Sequence, residues 1–82
     1  MDDDEYVATD TGKEVARELI NRISPTNGTQ APIVQANFAA LSPQQKRIVR
    51  AWLRRKLTVK TKSGKKQKLN LKETNVVAAI GI

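Results

Sequence analysis

The chain has 82 residues, no cysteine, no histidine and a formal net charge of +7. A chain of this length forms one domain, near the lower limit of what a single hydrophobic core can stabilise. Without cysteine and histidine, the chain lacks disulfides, thiolate nucleophiles, Cys/His zinc sites and imidazole bases. Because the few acids outside the N-terminus form no plausible acid–base pair, we expect no enzymatic activity, no metal site and no cofactor.

The charges are divided between the two halves of the chain. Residues 1–10 carry five acids and no base, whereas twelve of the fifteen lysines and arginines lie in residues 46–72, which contain no acid. Charge that is segregated in this way favours an interaction surface, since a surface that is merely soluble intersperses the two signs. We therefore expect a polyanionic partner, with nucleic acid as the first candidate.

The ends of the chain predict its organisation and location. We expect residues 1–10 to be an acidic flexible tail and residues 11–82 to be a single small α+β domain. The N-terminus is too acidic for a secretory signal, and the longest uncharged segment is too polar to cross a bilayer. We therefore expect no membrane partner and an intracellular location, in the cytoplasm, the nucleoid or a virion.

The first helix is predicted to start near Thr11, where Thr11 and Glu14 have the spacing of a capping box. It should end at Ser24, because the residue before Pro25 is pushed out of the helical region. One face of this helix collects apolar residues at helical spacing: Val15, Ala16, Leu19, Ile20 and Ile23.

Residues 33–41 fit either a short strand followed by a helix or a helix throughout. The spacing of Val34, Phe38 and Leu41 favours a helix. Phe38 is interpreted as a core residue, and stacking on a nucleobase is the alternative. The core interpretation is preferred because the chain contains so few large apolar side chains.

The next helix, residues 42–57, has the clearest start in the chain. Ser42 is a favourable N-cap and Pro43 suits the first helical position. Trp52 lies at the centre of its apolar stripe, so we expect Trp52 to be a core residue. The stripe comprises Ile48, Val49, Trp52, Leu53 and Leu57.

The opposite side of the same helix is basic. It carries Lys46, Arg47, Arg50 and Arg54, with no acid three or four residues away that could pair with them. These four residues are predicted to bind phosphates or base edges. Arg47 and Arg50 are the best candidates for bidentate contact to guanine.

Residues 57–72 alternate in the manner of a basic β-hairpin. A three-residue loop at positions 63–65 places the apolar residues of the two strands opposite one another. The same register crowds lysines on the outer face, where like charges repel unless an anion lies across them. The alternative interpretation is an edge strand that its lysines protect from aggregation. The lysines predicted to contact phosphate are Lys60, Lys62, Lys65, Lys66 and Lys68.

Residues 74–82 are apolar and almost uncharged. Three interpretations stay open for them: a strand added to the hairpin, a helix packed under the others, or a tail that docks onto a partner.

The order of these elements resembles the winged helix-turn-helix architecture. The resemblance rests on residues 35–41, the turn at Ser42 and Pro43, the helix up to Lys56 and the hairpin 57–72. It implies that the basic helix enters the major groove and that the hairpin, as the wing, lies on the adjacent backbone. Duplex DNA is then the favoured partner, with RNA as the alternative, and a role in transcription regulation is expected.

Three functional hypotheses follow, of which the third is an inhibitor or adaptor of an acidic protein. The first is a nucleic-acid-binding module that uses helix 42–57 and hairpin 57–72. The second is a structural or assembly protein, such as a small virion component or a ribonucleoprotein subunit. In that case the acidic N-terminus or the apolar C-terminus would join copies into a homo-oligomer.

Overall fold

The computed structural model describes residues 2–58 and 69–82. Within these ranges the chain forms helices and no strand, so the predicted α+β fold is wrong. The helices are α1 (Asp3–Ala8), α2 (Asp10–Ile23), α3 (Ala31–Ala39), α4 (Pro43–Thr58) and α5 (Leu71–Ile80).

Both ends of the predicted hairpin 57–72 are helical instead. Its first two residues complete α4, and Leu71 and Lys72 begin α5. Helix α5 starts there because of a capping box, in which the Glu73 backbone N–H donates to the Asn70 side chain at 2.8 Å. In return the Asn70 N–H donates to the Glu73 carboxylate at 3.0 Å. The winged helix-turn-helix resemblance is therefore also wrong, and the central part of the predicted hairpin, residues 59–68, lies outside the described residues.

The acidic N-terminal segment, predicted as a flexible tail, is helical over Asp3–Ala8. It is followed at once by α2, whose N-cap is Thr9. The Thr9 hydroxyl accepts a hydrogen bond from the Gly12 N–H at 3.0 Å and donates to the Tyr6 carbonyl at 2.6 Å. One side chain thus ends α1 and starts α2, which displaces the capping box predicted at Thr11.

Helix α1 packs closely against the start of α2. Val7 is fully buried, and Gly12 lies directly beneath the α1 backbone. A Cβ atom at Gly12 would collide with the carbonyl of Tyr6. Gly12 is therefore the position that allows α1 to reach the core.

Helix α2 is the central helix, because each of the other four packs against it. The core that surrounds it confirms most of the predicted apolar faces, including Trp52, which is only 3% exposed. There are two exceptions: Leu57 is 46% exposed at the end of α4, and Val15 is only partly buried. The buried residues that were predicted are Ala16, Leu19, Ile20, Ile23, Val34, Phe38, Leu41, Ile48, Val49, Trp52 and Leu53.

Local sequence signals explain where the other helices begin and end. Ser42 and Gln45 exchange hydrogen bonds of 3.2 and 3.0 Å at the start of α4, which confirms the predicted N-cap. Helix α2 ends at Ile23, just before Pro25, as predicted. Most of residues 74–82 belong to α5, which buries Val76 and is capped after Ile80 by Gly81, whose φ is 68°. Of the three interpretations of this segment, the helix is the one that the structure shows.

The helices in residues 2–58 and 69–82 are all too short or too polar to span a lipid bilayer.

Candidate nucleic-acid interface

The four cations predicted to bind from the helix all project from one side of α4, which we call the basic face (Lys46, Arg47, Arg50 and Arg54). Three of them are exposed and Lys46 is half-buried. The turns of α4 place them opposite Ile48 and Trp52, which are buried in the core. The five lysines predicted from the hairpin lie outside the described residues, so the geometry of the site rests on α4.

Phe38 supports part of this face from α3. The charged ends of Lys46 and Arg50 lie over its ring, 6.0 and 5.3 Å from the ring centroid. Phe38 itself is only 7% exposed, which favours the core interpretation over base stacking. Cation–π contacts of this kind contribute about 0.5–1 kcal/mol at exposed sites, and here they hold two cations side by side.

Arg47 has a carboxylate partner that sequence spacing did not reveal. Its Nε lies 3.5 Å from Asp3 Oδ2, and the two side chains are 58% and 37% exposed. Ion pairs in such exposed positions contribute only about 0–1 kcal/mol and are screened by salt. The acidic α1 is thus placed beside the basic face without neutralising it tightly.

Arg50 and Arg54 also form one wall of an open groove. The Arg54 Nε donates to the Arg50 carbonyl at 3.4 Å. Opposite them lies the end of α5, and the groove between encloses about 250 Å³. Its lining comprises Arg50, Arg54, Ile80, Gly81 and Ile82.

Lys56 lies outside the basic face and serves the fold. Its Nζ contacts Glu73 Oε1 at 2.8 Å, and the other Glu73 oxygen accepts from Trp52 Nε1 at 2.7 Å. Glu73 is only 1% exposed. Sequence reasoning missed this buried acid, although its spacing from Asn70 is that of a capping box.

Trp52 is enclosed by cations as well as by the core. The Arg17 guanidinium lies 5.7 Å and the Lys56 ammonium 4.9 Å from its ring centroid. With its ring covered and its N–H bonded to Glu73, Trp52 has no free face for a nucleobase. This confirms that Trp52 is a core residue.

Both terminal segments contribute to the core of their own chain. Val7 of α1 and Val76 of α5 are fully buried. The homo-oligomer predicted from the acidic N-terminus and the apolar C-terminus stays a prediction, and any such contact would use the outer sides of these helices.

The chemistry available at this surface is that of fixed positive charges. Arginine and lysine donate several hydrogen bonds each and suit phosphate oxygens, arginine in a bidentate fork. Across the part of the chain that the structure describes, no three His, Cys, Asp or Glu residues gather into a group that could hold a metal ion.

Comparison of the chain with protein-family models, with curated proteins and with solved structures found no match.

Proposed function

We propose that the chain binds nucleic acid through the basic face of α4. The observation that carries the proposal is the gathering of four cations on one side of a single helix, with three of them exposed. Such an array repels itself in isolation and becomes favourable when phosphates lie against it. The lysines at 60–68 continue the same charge along the chain and would add phosphate contacts.

The dimensions of the face suit a nucleic-acid backbone. Lys46 and Arg54 are eight residues apart, which corresponds to about 12 Å along a helix. Phosphates follow one another at about 3.4 Å along the axis of each strand of duplex DNA, so the face spans about three or four of them. Arg47 and Arg50, near the middle, are the candidates for contact with guanine edges.

The test is a salt titration of binding, in which fluorescence anisotropy of a labelled duplex reports the affinity. We expect the logarithm of the association constant to fall linearly with the logarithm of the salt concentration, with a slope of about −0.9 for each phosphate contact. Affinity that does not respond to salt would contradict the proposal.

A pair of matched variants shows whether the basic face is responsible. Arg50→Gln removes one of its charges, and Arg22→Gln removes one exposed charge from α2. The first should lower the salt slope by about 0.9. The second should leave the slope close to that of the unmodified protein, and equal effects of the two would assign the binding to overall charge.

A further inference from the structure

We infer that the groove between α4 and the end of α5 holds an unpaired nucleobase, so that the preferred ligand is single-stranded or locally unpaired nucleic acid. The inference rests on the proposed function and specifies its ligand. The groove is lined by Arg50 and Arg54 on one side and by Ile80, Gly81 and Ile82 on the other.

The mixed lining of the groove matches the chemistry of a base. A phosphate would use the two guanidinium groups but would gain nothing from Ile80 and Ile82. A nucleobase has flat apolar faces, which pack on isoleucine side chains and on the planes of arginine guanidinium groups, and a polar edge that accepts hydrogen bonds. A base can therefore contact the charged wall and the apolar wall of the groove at the same time, which a phosphate cannot do.

The size of the groove fits one ring system. Its volume of about 250 Å³ falls below the roughly 300–1,000 Å³ of pockets that enclose drug-sized ligands. The space beside Gly81 is open, because a Cβ atom built there meets no other atom within 4 Å. A base inside a duplex is stacked and paired and cannot enter, so the groove selects unpaired nucleotides.

Arg50 connects the groove to the basic face. Its side chain lines the groove and also lies over the ring of Phe38, beside Lys46. A strand whose phosphates follow the basic face would thus pass the mouth of the groove. One nucleotide could then place its base in the groove while its neighbours keep their phosphate contacts.

The experiment compares three labelled ligands of equal length by fluorescence anisotropy at two salt concentrations: a DNA single strand, an abasic strand with the same phosphates, and a duplex. We expect the single strand to bind at least about fivefold more tightly than the abasic strand, since stacking of even one base supplies that much. This comparison needs no variant of the protein.

Two variants then locate the effect. Ile82→Ala shortens one apolar wall of the groove, whereas Leu71→Ala removes an equally large side chain that is 62% exposed at the other end of α5. Ile82→Ala should reduce the preference for the single strand over the abasic strand by several-fold. Leu71→Ala should leave that preference unchanged.

The outcomes separate this inference from the function on which it rests. Equal affinity for the strands with and without bases would overturn the inference, while a steep salt dependence of both would keep the proposed function. Binding that is weak for all three ligands and insensitive to salt would overturn both. If dodecanoate displaced the labelled strand and the strands with and without bases bound equally, the inference would be wrong and the groove would be assigned to an anionic amphiphile.

Discussion

Two ion pairs that helix α4 makes with other described residues differ in almost every physical respect. Near its end, Lys56 lies 2.8 Å from Glu73, and the two side chains are 15% and 2% exposed. In its first half, Arg47 lies 3.5 Å from Asp3, and both side chains are more than one-third exposed. One helix therefore contains a lysine committed to the fold and an arginine that stays at the surface.

The buried pair works because the acid is fully satisfied. Removing a carboxylate from water is costly, and the cost is offset only if hydrogen bonds and an opposite charge surround it. Glu73 receives Trp52 Nε1, Lys56 Nζ and the Asn70 N–H, all within 3.0 Å. Because two of these donors are on α4 and the third caps α5, Glu73 joins the two helices that flank residues 59–68.

The exposed pair of Arg47 and Asp3, unlike the buried pair, contributes little to stability and is easily replaced. Water and salt compete for both partners, so Asp3 gains little by holding Arg47. A phosphate that approaches Arg47 can replace Asp3 at small cost. This difference between the two pairs explains why Arg47 belongs to the proposed interface and Lys56 does not.

The largest effect should come from breaking the buried pair. Glu73→Ala leaves Lys56 without its partner and removes the acceptor of Trp52, so we expect a loss of about 3–5 kcal/mol in the free energy of unfolding. Urea denaturation followed by circular dichroism measures it. Glu18→Ala, which removes an exposed acid from α2, is the control and should change stability by less than about 0.5 kcal/mol. Similar midpoints for the two variants would show that Glu73 has no such role.

The second-largest effect should come from disturbing the packing of α1, the helix that carries Asp3 of the exposed pair, against α2. Gly12→Ala forces α1 away from α2, since the new Cβ atom would meet the Tyr6 carbonyl. We expect a destabilisation of about 1–3 kcal/mol, as for other overpacked sites. Gly28→Ala is the control, because nothing lies within 4 Å of a Cβ atom there. Thermal unfolding should separate the two variants clearly, and equal melting temperatures would contradict the close approach of α1.

The two ion pairs also show which parts of the molecule the sequence could predict. The start of α4 and its apolar stripe up to Leu53 were predicted correctly, because Ser42 and the spacing around Trp52 are local signals. The two pairs join residues 17 and 44 positions apart, and no local periodicity reports such contacts. The basic face was predicted residue by residue, whereas its acidic neighbour α1 was not.

The wrong hairpin has a physical explanation of the same kind. Alternating residues around Leu69 and Leu71 favoured a strand, but the capping box of Asn70 and Glu73 starts a helix there. The signal for that helix was present in the sequence, and the alternation outweighed it. Helix α1 was missed because its burial depends on Gly12, which lies in another helix and shows its role only when the two backbones meet.

The third prediction compares the two cations: substitution of Lys56 should affect stability, and substitution of Arg47 should affect binding. Lys56→Met leaves Glu73 buried without a counter-charge, so it should destabilise the fold while it leaves the salt slope of binding nearly unchanged. Arg47→Met should cost less than about 1 kcal/mol of stability and lower the salt slope by about 0.9. Denaturation and anisotropy, both performed below the melting temperature of the weaker variant, measure the two quantities. If both variants lowered the slope equally, the division of the cations on α4 would be wrong.

The smallest effect should come from the acid of the exposed pair. Asp3→Asn frees Arg47 from its carboxylate but keeps the shape of the side chain, so we expect stability to change by no more than about 0.5–1 kcal/mol. Affinity for a labelled strand should rise a few-fold at low salt, and the gain should shrink as salt screens the original attraction. Asp10→Asn removes the same charge from the first turn of α2 and serves as the matched control. Because the two variants have the same net charge, an equal gain from both would show that only total charge matters. A gain from Asp3→Asn alone would mean that α1 competes with the ligand for Arg47.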